Sequence, residues 1–353
     1  MGVKVSDRAR GAVFGLLAAI FFGASAPLAK LLLRDLQPLL LASLFYLGAA
    51  AGLSAYRAVS GAFRQAREAP ISRADWPLLA GMVLVGGVAG PVLMLIGLQR
   101  VSAVTGALLL NLESVFTILI ATAFFGEHLG RGEAASGAVV VAGAALLGFR
   151  AGEMSAAWSG VATIGGACLC WGIDNNLTQR VSLRDATAIA RFKTAGAGTT
   201  SLILALALGQ HFPSPILVAV AMGVGSLSYG MSLVFSVYSL RLVGAARESA
   251  FFAIAPFAGA LLAIPLLRQM PSPGDWVAGS VMAAGIVFLA RARHGHPHRH
   301  EALVHAHDHV HDEHHQHSHA GSTSEPHSHE HRHDPIEHDH PHVSDHHHRH
   351  SHK

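Results

Sequence analysis

Charge is what this sequence has least of. Of its 353 residues only 13% are Asp, Glu, Lys or Arg, against about a quarter in an ordinary soluble domain. That deficit excludes a solvated globular surface over most of the chain. Cysteine is nearly missing: Cys168 and Cys170 lie together in one apolar run. A C-x-C pair on a helix points in two directions, so the two read as small core residues rather than a disulfide or redox site. There is no Walker-type phosphate loop and no nucleophile motif, so neither ATP hydrolysis nor any other enzymatic activity is expected. No nucleic-acid partner is expected. Histidine is scarce before residue 294, with only His128 and His211, both at loop edges and read as solvated.

What is present is apolar sequence in long runs. Stretches of roughly 18 to 24 residues recur, each able to cross a hydrocarbon core of about 30 Å as a helix. Helices are the natural way to satisfy the backbone where water is missing. Ten spans are predicted: Gly11–Leu33, Pro38–Tyr56, Trp76–Leu98, Ser102–Phe125, Gly132–Phe149, Trp158–Gln179, Asp185–Ala207, Ile216–Leu240, Glu248–Leu267 and Trp276–Ala290. Abundant Gly and Ala suit close packing between them. The fold class is therefore an all-α membrane protein of about ten transmembrane helices, and its chief partner is the lipid bilayer.

Basic residues set the orientation. With the N-terminus in the cytoplasm, the cytoplasmic segments hold Lys4, Arg8 and Arg10, then Arg57, Arg64, Arg67 and Arg73, then Arg131, Arg180, Arg184, Arg241, Arg247, Arg291 and Arg293. The opposite side holds Arg34, Arg100, Arg150 and Arg268. Both termini are thus expected in the cytoplasm, in a membrane of the bacterial inner-membrane type. The N-terminal run ending in Ala24-Ser25-Ala26 has the look of a signal peptide. We reject cleavage because the same segment recurs inside the chain.

That recurrence is a repeat. Gly11 aligns with Gly160, Ala18 with Ala167, Gly23 with Gly172 and Leu28 with Leu177. The six-residue step of Gly137 and Gly143 returns in Gly279 and Gly285. Five spans is an odd number, so the second copy enters the membrane inverted. The predicted organisation is a cytoplasmic segment 1–10, five-helix units 11–149 and 150–293, and a tail 294–353. Inverted repeats place a substrate site near the midplane between the halves.

The fourth span and its exit, LLLNLESVFTILIATAFFGEHL (Leu108–Leu129), resembles the "LEPVF … LGE" signature of EamA-type transporters in the drug/metabolite transporter superfamily. FFG (Phe21–Gly23) and CWG (Cys170–Gly172) resemble that family's "WG" turn. The resemblance covers about residues 10–292. Two departures stand out: Ser114 replaces the usual proline, which Ala255-Pro256 retains, and Arg268-Gln269 stands where the second half usually has Gly-Glu. The resemblance implies a secondary carrier of a small-molecule solute, a metabolite, amino acid or drug, and says little about which.

Ionisable residues inside spans cost about 2.5–3.5 kcal/mol on insertion scales and are functional candidates. Glu113, near the midplane beside Asn111, is the clearest: a structural glutamate, or a cavity residue that binds substrate or a coupling proton. Asp174, Asn175 and Asn176 form a polar run in the sixth span, with Trp171 one turn before. Arg191 and Lys193 lie early in the seventh. Equal depth in an antiparallel hairpin predicts an Asp174–Arg191 ion pair, either purely structural or, with Asn175, Asn176, Lys193 and Trp171, part of the substrate site. Lys30 is expected to snorkel to headgroups, and Tyr229 and Tyr238 to pack in the core or face lipid.

The tail has 24 of the 26 histidines and almost no large apolar residue, so no core and hence disorder is expected. Its H-x-H pattern offers imidazoles to a divalent transition metal, zinc, nickel, cobalt or copper. The candidate ligands are His305, His307, His309, His311, His314, His315, His317, His319, His327, His329, His331, His333, His338, His340, His342, His346, His347 and His348. Titration near pH 6.5 makes pH sensing an alternative use. The core itself requires no cofactor. The main reading is an exporting carrier with a metal-binding tail. Its rivals are a divalent-metal carrier with the tail as collector or gate, and a metal sensor that transports nothing. Against metal as cargo, no span carries His or Asp/Glu pairs at i, i+4 spacing. A homodimer is compatible with all three.

Overall fold

The computed structural model describes residues 7–60, 70–125, 129–149, 154–181, 184–291, 294–299, 303–309, 327–333 and 337–342. Ten helical segments follow one another among the described residues through position 291. The first is bent into Asp7–Gly23 and Ser25–Leu32, the second is Pro38–Ser60, and the third runs Trp76–Gly81, Met82–Ala89 and Gly90–Arg100. The fourth is Ala103–Leu109 and Leu112–Phe125, and the fifth Arg131–Gly148. The sixth is Met154–Arg180, the seventh Ala186–Ala207, and the eighth Pro215–Gly225, Ser226–Met231 and Ser232–Val243. The ninth is Ala245–Phe252 and Ala255–Leu267, and the tenth Pro273–Arg291. Among the described residues, six stretches are long and apolar enough to cross a membrane: Ala9–Leu32, Pro38–Val59, Arg73–Arg100, Ala103–Phe125, Pro215–Leu240 and Arg247–Leu267. A shorter apolar helix covers Pro273–Leu289, and the sixth and seventh segments carry Asp174, Arg191 and Lys193, the first buried and the two cations half-buried.

The packing carries the repeat. The second segment packs on the seventh, the fourth on the ninth and the fifth on the tenth. The first packs on the eighth just as the sixth packs on the third, and the first on the ninth just as the sixth on the fourth. Exchanging the halves maps each pair onto itself or onto another observed pair. The irregularities match too. The third and eighth segments each contain a π-helical stretch, Met82–Ala89 and Ser226–Met231, and the fourth and ninth are each broken near the middle. Small residues set the crossings. A Cβ at Gly143 would lie 2.6 Å from Met282 Cγ and 3.1 Å from the Ala278 oxygen, while one at Gly285 would lie 2.8 Å from Val140 Cγ2 and 3.1 Å from the Ser136 oxygen. The two contacts at Gly143 are the repeat equivalents of the two at Gly285. The molecule is an all-α membrane bundle of two inverted five-helix repeats.

Lys30 does not reach outward as expected. Its ammonium donates to the carbonyls of Leu98 and Val101, capping the C-terminal end of the third segment where helix carbonyls lack partners. On the same side, Thr105 Oγ1 donates to Asp275 Oδ1 at 3.1 Å and the Ala103 amide to Gln269 Oε1 at 3.1 Å. At the other end, Arg57 pairs with Asp185 at 2.9 Å and Arg184 with Asp75 at 3.0 Å, joining the two halves.

In the tail, strand β1 (His294–Arg299) pairs antiparallel with β4 (Glu337–His342), and β2 (Leu303–His309) with β3 (His327–His333). Composition predicts disorder here. The H-x-H alternation nevertheless has the two-residue period of a strand. A two-stranded ribbon with no hydrophobic face is marginally stable by itself, so the tail still has no core. His311, His314, His315, His317, His319, His346, His347 and His348 lie outside the described residues, as does His128.

Candidate functional site

Of the polar residues singled out inside spans, Asn111, Glu113, Asp174, Asn175 and Asn176 come together where the fourth and sixth segments meet. The fourth segment breaks between Leu109 and Leu112, and Asn111 sits in the break. Its side chain is buried and donates to the Leu108 carbonyl at 2.8 Å, supplying a partner at the interrupted ladder. Glu113 stands in the first turn of the following helix. Its Oε1 accepts from Asn175 Nδ2 at 2.9 Å, and the same amide reaches Thr117 Oγ1 at 3.2 Å. Asn176 donates to the carbonyls of Thr117 at 3.0 Å and Gly172 at 2.8 Å. Glu113 and Thr117 are one turn apart and share a face, so the sixth segment is zipped to that face by two amides. Glu113 is half-buried and Asn175 exposed, whereas Asn111, Asp174, Asn176 and Trp171 are buried. Acceptor oxygens of Glu113 and Asn175 thus remain reachable beside a closed polar layer.

Asp174 corrects one sequence expectation. Its partner is Lys193, not Arg191: the Lys193 ammonium sits on Asp174 Oδ2. Arg191 turns to the second segment and donates from Nε to Ser54 Oγ at 3.1 Å. Two residues along a helix rotate a side chain by about 200°, so Arg191 and Lys193 face nearly opposite ways. Asp174 is 3% exposed, and its other oxygen, Oδ1, has no hydrogen-bond partner among the described residues.

The π-helical stretch of the third segment supplies the next wall. A π turn misaligns the backbone ladder and frees a carbonyl. Gly86 O accepts from Trp171 Nε1 at 3.0 Å and from Tyr46 hydroxyl at 3.4 Å. Trp171 is therefore a core residue with its one polar atom satisfied. Gly86 has no room for a side chain, since a Cβ there would fall 2.2 Å from Asp174 Cγ. Tyr46 stacks on Tyr229 at 5.5 Å, and Tyr229 meets Phe22 edge-on at 5.8 Å. Tyr238 lies elsewhere and shares a hydrogen bond with Tyr56 at 2.8 Å. Cys168 and Cys170 are free thiols, the first buried against the Leu109 carbonyl at 3.6 Å. His211 is exposed.

Sequence reasoning did not single out Thr117, Gly86 or Tyr46. Thr117 was within reach, four residues after Glu113. The other two come from segments distant in the chain, and no local signal marks them. Among the described residues, no three His, Cys, Asp or Glu side chains are grouped as a metal site.

Comparison with known proteins agrees with this architecture. A solved crystal structure of a protein superposes with a TM-score of 0.57, covering 79% of this chain and 94% of that chain at 17% identity, which shows a shared fold. An uncharacterized transporter of Methanothermobacter thermautotrophicus is 30% identical over 289 residues, 78% of this chain and 84% of that protein. A probable terminal-alkyne amino-acid exporter of Streptantibioticus cattleyicolor is 27% identical over 223 residues, 62% of this chain and 74% of that protein. The EamA-like transporter family matches twice, over residues 9–149 and 158–291, one match for each five-helix half. The chain therefore belongs to the EamA-like transporter family.

Proposed function

We propose that the protein is a secondary exporter of a small metabolite or drug, working by alternating access between units 11–149 and 150–293, with both termini cytoplasmic in a bacterial inner membrane. The observation that carries this reading is the Glu113–Asn175–Thr117 cluster at the break of the fourth segment. It is polar, partly accessible, near mid-membrane by chain position, and walled by the ion pair of buried Asp174 with half-buried Lys193. Sites of inverted-repeat carriers lie at such breaks between the halves. Glu113 offers an acceptor in its second carboxylate oxygen and Asn175 another in its amide oxygen, its two N–H groups being held by Glu113 and Thr117, which suits a solute carrying an amine. The name of the Streptantibioticus relative, an amino-acid exporter, favours that choice of cargo. The test is efflux from cells or proteoliposomes, after a growth screen of a deletion strain against amino acids, drugs and metals. Glu113→Gln keeps size and removes a titratable group. We expect it to cut flux at least tenfold with membrane insertion unchanged, and full flux at normal expression rejects the assignment.

The tail is proposed as a binder of divalent transition metal. Supporting this is the strand register, which sets His305 opposite His331, His307 opposite His329 and His309 opposite His327. It also sets His294, His296 and His298 opposite His342, His340 and His338. The Cα atoms of directly opposed residues lie about 4.5–5.5 Å apart, a spacing from which two imidazoles can share one ion. The reading with metal as cargo draws no such support from the described core.

A further inference from the structure

The site holds two carboxylates and one ammonium, an odd balance for a cluster largely enclosed by the bundle. Lys193 rests on Asp174 Oδ2, and Asp174 Oδ1 is buried with no partner among the described residues. Glu113 lies within electrostatic range of both Asp174 and Lys193. Lys193 from the seventh segment is in contact with Asp174, and Glu113 from the fourth and Tyr46 from the second lie within electrostatic range of it. The third segment presents Gly86 there, which carries no charge. Tyr229 of the eighth segment faces Tyr46 and Glu113. With both carboxylates ionised the cluster is one negative charge in excess, which a low-dielectric interior resists. One more proton makes it neutral, and two arrangements then satisfy it equally. In one, Glu113 is protonated and Lys193 is on Asp174. In the other, Lys193 is on Glu113 and Asp174 is protonated.

We propose that Lys193 is a transferable counter-charge, resting on Asp174 while Glu113 holds the proton and moving to Glu113 when Asp174 takes that proton. The exchange balances: one O–H bond breaks at Glu113, one forms at Asp174, and the ammonium moves the opposite way with no change in cluster charge. The lysine stem is long and flexible, and Asn175 tethers Glu113 to the turn of the sixth segment that bears Asp174. The vacant Oδ1 is where the proton arrives. Asp174 and Lys193 are then positioning residues that determine when Glu113 is charged, and hence when it can hold an amine-bearing solute. This rests on Glu113 belonging to the carrier site, but its readout needs no known cargo.

The test is infrared difference spectroscopy of the purified full-length protein at about pH 7, which reads a protonated carboxylic acid by its C=O stretch. The wild type should show a protonated acid that Glu113→Gln removes. Asp174→Asn should remove the same band, because Lys193, deprived of its partner, settles on Glu113 and ionises it. Asp174→Ser serves as a second variant should the asparagine form fail to insert, since the first half carries Ser25 at the equivalent place. If Lys193 belongs to a fixed structural pair, the Glu113 band survives in both Asp174 variants, and the proposal is overturned. A wild type with no band assignable to Glu113 overturns it equally. Full flux in Glu113→Gln with the spectroscopic pattern intact would instead remove the carrier assignment and leave the exchange standing.

Discussion

At the scale of residues, the buried ion pair decides more than any other contact. Removing one partner of such a pair strands the other charge and costs about 3–5 kcal/mol. Lys193→Ala leaves Asp174 without its cation and should therefore lower the yield of folded protein sharply, whereas the exchanged pair Asp174→Lys with Lys193→Asp should recover most of it. Thermal stability of detergent-purified protein measures both, and no recovery in the double variant means the order of the charges matters as well as their pairing. The candidate residues were legible in the sequence because charge inside an apolar run is conspicuous: Glu113, Asp174, Asn175 and Asn176 do meet at one place. Partner choice was not legible. Depth along a helix follows from counting residues, but azimuth depends on which neighbours surround it, and that exchanged Arg191 for Lys193. Lys30 fails for a related reason. A lone lysine near a helix end reads as a headgroup contact until the C-terminal end of the third segment is placed beside it.

At the scale of elements, the repeat explains which irregularities are tolerated. The π-helical stretches and the breaks occur in corresponding segments of the two halves, so each belongs to the plan of the unit. None was legible beforehand, because Met82–Ala89 and Ser226–Met231 are as apolar or as small-residue-rich as ordinary helix. One departure from the repeat was legible. Arg268 stands where the second half of related chains usually carries glycine, and it ends the ninth segment with φ 53°. A left-handed conformation costs a side-chain-bearing residue about 1–2 kcal/mol relative to glycine. Arg268→Gly should thus stabilise the bundle by about 1 kcal/mol, read as a raised midpoint of thermal unfolding with flux retained. An unchanged or lowered midpoint would show that the arginine side chain makes contacts worth the strain. The crossing of the fifth and tenth segments gives the opposite case. Gly285→Leu meets the Ser136 carbonyl and Val140 at closer than van der Waals contact, so the two helices must part. We expect it to abolish folding, while a leucine at Gly223, where a Cβ meets nothing within 4 Å, should be tolerated.

At the scale of the whole molecule, the bundle and the tail obey different physics, and this gives the broadest prediction. The helices through residue 291 bury apolar surface against one another; the tail has almost none to bury. Truncation after Arg293 should leave an inserted protein that still moves its solute. A truncated form that no longer inserts would show that the tail contributes to folding after all. Reporter fusions at Lys4 and after Arg293 should both report cytoplasm, and an external signal from either refutes the orientation. The tail's own behaviour follows from imidazole chemistry. A protonated ring cannot ligate, so metal binding is present above the ordinary histidine pKa of about 6.5 and is lost as pH falls through it. The full-length protein should bind several zinc or nickel ions at about pH 7.5, release most of them at about pH 5.5, and bind none of comparable affinity once truncated. Cell zinc, nickel and cobalt measured under metal stress in strains with full-length, truncated or no protein then separate the roles. Equal metal content in all three, with solute flux intact, leaves the tail as a buffer or sensor attached to the carrier. Metal content that tracks the presence of the bundle, with or without the tail, makes metal the cargo and displaces the metabolite reading.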